Sequence, residues 1–155
     1  MRIAALAGEP FGQNIAAAKY DRLIEARRVI SRFCLRFGLL LAAALCLVAE
    51  PLSALFTQST AIREVAVDYI WLVSLSYGAY GLVMSVNAAF NGIGRPLPGV
   101  LISAMRVLII FLPLAFLGHE LFGLPGLFGA SALSNLGIGA LAYRWLGSQL
   151  CASQR

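Results

Sequence analysis

From Asn87 to Gly99 the chain reads NAAFNGIGRPLPG, and how that stretch is read decides the fold. It holds two asparagines one helical turn apart, a Gly-x-Gly, and an arginine followed by two closely spaced prolines. A glycine loop cradling a phosphate is one reading, and a turn between two helices is another. Gly92, Gly94 and Gly99 do not fit GxGxxG, and no strand-like run precedes them. Long apolar runs flank the stretch on both sides. Glycine suits the end of the first helix, while Pro96 and Pro98 suit the start of the second. The stretch is therefore predicted to be a tight turn where one membrane span ends and another begins.

Composition points the same way. Of 155 residues, 60% are hydrophobic and only 12% are charged, with a mean hydropathy of +0.83. Soluble domains carry about a quarter charged residues, so this chain has too few polar groups to cover a water-facing surface. An all-α integral membrane protein follows, because helices satisfy their own backbone hydrogen bonds in lipid. The opening MRIAALAGEP has too short an apolar patch for a cleavable signal peptide. Cys34, Cys46 and Cys151 show no CxxC spacing and read as packing residues or unpaired thiols. His119 stands alone, and no Ser-His-Asp set, metal cluster or nucleotide loop can be assembled. Neither an enzyme nor a bound cofactor is expected.

Four stretches reach the about 20 apolar residues needed to cross a bilayer, namely residues 37–56, 67–93, 97–118 and 121–143. Residues 1–36 form a basic segment with Lys19, Arg22, Arg27, Arg28, Arg32 and Arg36. Its loose helical periodicity fits a helix lying along the membrane surface, with a solvated linker as the alternative. Nucleic-acid binding is not expected beside a span. With that segment inside, Arg95 and the tail 144–155 also fall inside. The prediction is a single multi-pass domain in the cell (inner) membrane with both termini cytoplasmic.

Polar groups within spans are costly and mark function or a packed interior. At about 100° per residue, Tyr69, Ser76, Tyr80, Asn87 and Asn91 share one face of the second span. They either wall a transport cavity or make interhelical hydrogen bonds. Arg106 lies ten positions after Pro96, about 15 Å deep, where arginine costs about 2.5–3.5 kcal/mol. Glu50 and Asp68 lie toward the opposite end. Arg106 is predicted to face the bundle interior at a depth between Tyr80 and Asn87, with snorkelling toward headgroups as the alternative. Gly126, Ala130 and Ser134 form a small-residue packing face beside Asn135, and Pro113 should kink or loosen the third span. Tyr80, Asn87, Asn91, Arg106 and Asn135 are the candidate substrate-pathway residues.

PFGQNIAAAKYDR, Pro10 to Arg22, resembles the PFxGQNxGAxRxDR segment after the eighth helix of the multidrug and toxic compound extrusion (MATE) family. FNGIGRP resembles the segment between that family's tenth and eleventh helices, MRVLIIFLPLAF its eleventh helix, and GLPGLFGASALSN the start of its twelfth. The sequence departs from the pattern at Ala16 and Ala18, where the family often has glycine, and lacks one residue between Phe11 and Gly12. The resemblance implies helices nine to twelve of a twelve-helix fold built from two six-helix halves. It also implies a secondary antiporter exporting organic, often cationic, compounds in exchange for sodium ions or protons. Tyr80 and Asn135 fall where the family often carries acids, so the coupling-ion site is not carried over. Such a fragment, lacking the N-terminal helices as its partner, is expected to be inactive alone. The alternatives are a lipid-linked oligosaccharide flippase, expected to carry more basic residues, and a non-transporting four-span assembly partner.

Overall fold

A computed structural model describes residues 20–152, and every regular element among them is helical. The Pro10–Arg22 motif therefore lies almost wholly outside the described residues. Helix α1 spans Tyr20–Phe56, α2 Thr60–Ser74, α3 Tyr77–Gly92, α4 Pro96–Met105, α5 Leu112–Phe122 and α6 Leu124–Ala152. A π-helical segment, Arg106–Phe111, joins α4 to α5. The molecule is a multi-pass membrane protein. Three helical runs are long and apolar enough to cross a bilayer, and α2 with α3 forms a fourth, broken one. Large apolar side chains such as Leu47, Phe56 and Phe116 are more than 70% exposed, as lipid-facing residues are.

The structure departs from the expected elements in two places. The basic segment and the first span are one continuous helix, so no separate surface helix precedes the span among the described residues. A rise of 1.5 Å per residue makes this 37-residue helix about 55 Å long, enough to cross the bilayer and extend beyond it. Pro51 lies inside it without ending it, and Ser53 Oγ donates to the Ala49 carbonyl at 2.6 Å beside it.

The second span is not one rod. It begins at Thr60, and α2 and α3 meet at a 54° bend. Ser76 makes the break: its N–H (3.0 Å) and its hydroxyl (2.7 Å) both donate to the Val73 carbonyl. A 3₁₀-like turn thus replaces the i→i+4 ladder before α3 restarts with Tyr80 N–H on the Ser76 carbonyl.

The third span is loosened rather than sharply kinked. Pro113 has no N–H to donate to the carbonyl of Ile109, four residues back. Just upstream the ladder widens, and the Leu112 N–H reaches the Val107 carbonyl. The turn at 92–96 has the expected chemistry. Gly94 adopts φ 78°, the Arg95 N–H reaches back to the Phe90 carbonyl at 3.0 Å, and Pro96 opens α4.

The helices approach where side chains are smallest. A Cβ on Gly38 of α1 would overlap the backbone of Gly78 on α3, and the same holds for Gly118 of α5 against Gly126 of α6. Ala130 and Ser134 continue that α6 face and are buried, as the four-residue spacing of small residues implies. Larger side chains fill the other end of the bundle, where Leu23, Val83, Phe90, Ile102, Ile138 and Leu146 form the core.

Candidate functional site

Three of the five candidate residues meet at mid-bundle. Arg106 opens the π segment of the third span, Tyr80 lies one turn into α3, and Asn135 lies in the middle of α6. Arg106 Nη1 donates to Asn135 Oδ1 at 2.8 Å, and its guanidinium carbon lies 4.9 Å from the centre of the Tyr80 ring. The same Asn135 amide donates from Nδ2 to Ser76 Oγ at 2.9 Å. One buried amide therefore fastens the guanidinium of the third span to the break in the second.

Hydrogen-bond polarity dictates the residue types. The Ser76 hydroxyl proton is committed to the Val73 carbonyl, so its oxygen can only accept, and Asn135 must donate to it. Arg106 has donors alone, so Asn135 must accept from it. An amide meets both demands with one side chain. Asn135 and Ser76 are buried, while Arg106 is half-buried and Tyr80 is 37% exposed. The joint is sealed on the α6 side and open on the other.

Among the described residues no carboxylate pairs with the charge at the joint. Glu50, Glu64 and Asp68 gather with Arg63 around a groove formed where α1 and α2 adjoin, and the named contacts of Arg106 are all neutral. A guanidinium keeps its charge in a protein, and here a ring face and an amide oxygen support it. Among the described residues no group of three or more His, Cys, Asp or Glu could hold a metal ion.

The other two candidates lie apart. Asn87 Nδ2 donates to Ser103 Oγ of α4 at 3.0 Å, while its Oδ1 is buried and has no hydrogen-bond donor among the described residues. Asn91 is exposed one turn further along α3. The 54° bend also takes Tyr69 out of the stripe, and its ring packs edge-on against Phe128 at 5.2 Å. Ser76 and Ser103 were not among the candidates. Ser76 shares the polar face of the second span, but nothing local marks it as the break, because its partner is 59 residues away.

Comparison with known proteins agrees with this architecture. The family model described as MatE matches residues 10–117. The FAD transporter of Shewanella oneidensis is 33% identical over 143 residues, covering 92% of this chain and 31% of that protein. The Vibrio cholerae MATE transporter VcmN in its bent form superposes with a TM-score of 0.87 at 27% identity, over 92% of this chain and 33% of that one. An inward-facing multidrug resistance MATE family transporter of the MOP superfamily has the same fold, with a TM-score of 0.90 at 18% identity over 97% of this chain and 36% of that one. The chain thus spans about a third of the length of the relatives it matches. With more than half of its residues under the family model, the chain belongs to the MatE family, whose members are membrane transporters and not enzymes.

Proposed function

We propose that this chain supplies the C-terminal part of a MATE-type secondary antiporter, which exports a small organic compound in exchange for sodium ions or protons. The observation that carries the reading is the joint of Ser76, Asn135 and Arg106 at the break of the second span. Transporters of this kind hold polar groups at discontinuous helices near the bilayer midplane, and one bundle rocks against another around them. Tyr80, Arg106 and Asn135 form the part of the pathway wall at that depth, and Asn87 and Asn91 continue it toward the end of α3. The chain alone does not transport.

A substrate follows from the relative named an FAD transporter. A guanidinium with no carboxylate partner among the described residues suits an anion such as FAD better than the cations that the family resemblance brings to mind, so FAD is the first substrate to test. The test replaces the matching segment of the Shewanella oneidensis transporter with this chain. Export of FAD is then measured beside that of a cationic dye under imposed sodium and proton gradients. FAD export by the hybrid and none by the chain alone is the expected result. A hybrid that inserts in the membrane yet moves neither compound would refute the transport reading, and export of the dye alone would refute the substrate.

A further inference from the structure

The arginines of α1 point two ways. Arg27 turns inward: Nη1 donates to the Tyr143 carbonyl at 3.2 Å, and the guanidinium lies 4.2 Å over the Tyr143 ring. Arg28, Arg32 and Arg36 turn outward, all exposed, at successive four-residue steps. Each step advances about 6 Å along one helix face. Like charges at this spacing repel, and among the described residues no carboxylate pairs with any of the three.

An apolar row runs beside the basic one. Val29, Phe33 and Phe37 follow at the same spacing, with Leu40 beyond, and the rings of Phe33 and Phe37 stack with centroids 5.6 Å apart and planes 10° from parallel. Val29, Arg32, Phe33, Arg36, Phe37 and Leu40 bound a shallow groove of about 510 Å³. Its position along the helix decides what it meets. Arg36 is the last charge before thirteen uncharged residues, 37–49. The arginines therefore lie at headgroup depth, while Phe37 and Leu40 enter the hydrocarbon. The opposite face, with Leu23, Ala42 and Ala49, is buried, so among the described residues α1 is seated by one side only.

We propose that this groove is a binding site for an anionic phospholipid, with its phosphate between Arg32 and Arg36 and an acyl chain along Phe33, Phe37 and Leu40. Charge complementarity selects the occupant. A phosphate takes the forked donors of arginine in bidentate fashion and relieves the repulsion along the row. A zwitterionic lipid brings its own cation into a site that already has positive charge to spare. A soluble anion leaves the aromatic row bare.

Native mass spectrometry of the full chain, released from bilayers of mixed phosphatidylglycerol and phosphatidylcholine, tests this. Preferential retention of phosphatidylglycerol is expected. Arg32→Gln with Arg36→Gln should weaken it about 25-fold, at roughly fivefold for each basic residue near an anionic surface. Lysine at both positions should restore most of the affinity, because the charge remains while the fork is lost. Arg95→Gln with Arg144→Gln, which removes exposed arginines elsewhere, should leave retention unchanged. Equal loss in that control would mean diffuse charge rather than a site. Undiminished phosphatidylglycerol in the Arg32, Arg36 double variant would mean that something else covers this face. Either result overturns the proposal.

Discussion

Asn135 is the residue on which the interior depends most directly. Its two amide atoms serve opposite demands, accepting from Arg106 and donating to Ser76. Leucine has similar bulk and meets neither. In Asn135→Leu, a guanidinium donor and a buried hydroxyl oxygen both lose their partner. A buried polar group left unsatisfied costs about 1–3 kcal/mol, so the variant should unfold at clearly lower temperature or denaturant in detergent. Asn91→Leu supplies the comparison, because that side chain is exposed on the same polar stripe, and it should change stability little. Equal stability of Asn135→Leu and the parent would show that the amide does not hold the break. Part of this geometry was legible in advance. Counting from Pro96 puts Arg106 at a depth between Tyr80 and Asn87, and its guanidinium lies over the ring of Tyr80, the first of the two. The role of Ser76 was hidden, because its bond to the Val73 carbonyl is local while the Asn135 amide that meets its oxygen lies 59 residues away.

Among the helices, close approach is the theme, and Gly38 is its sharpest case. Any Cβ there would run into the Gly78 backbone, and backbone cannot swing aside as a flexible side chain does. Gly38→Val must therefore push α1 away from α3, at the roughly 1–3 kcal/mol typical of overpacking. Gly137→Val controls for helix propensity, since a Cβ at Gly137 meets nothing within 4 Å. Thermal unfolding in detergent should show a large loss for the first and a small one for the second; similar losses would mean that the contact does not matter. What the sequence tells about elements follows the range of the forces involved. Uncharged runs near bilayer length, and the glycine and proline at 94 and 96, act locally, so four apolar stretches and the turn between the second and third can be read directly. The continuity of α1 could not be. A run of arginines argues for a surface segment, yet nothing in Arg28 to Arg36 breaks a helix, and inward-facing Leu23 and Arg27 anchor the basic end against the rest of the bundle.

At the scale of the whole molecule the question is which way the bundle faces. Among the described residues arginines gather at one end, in the first part of α1, at Arg95 in the turn after α3 and at Arg144 in the last turns of α6. The other end holds Glu50, Glu64 and Asp68 with Arg63, whose Nη2 donates to the Thr57 carbonyl at 3.4 Å. Positive charge is retained on the cytoplasmic side during insertion, so the arginine-rich end should be cytoplasmic and the acidic groove external. Cysteine labelling in intact cells measures this directly. With Cys34, Cys46 and Cys151 replaced by serine, Thr60→Cys and Arg95→Cys each place one thiol at an exposed position at opposite ends of the second span. A thiol reagent that cannot cross the membrane should label position 60 readily, and position 95 only after the cells are opened. The reverse pattern would turn the bundle over. The arginine row of α1 would then face the outer leaflet, and the Arg106 joint would keep its mid-bilayer depth while its approach routes exchanged sides.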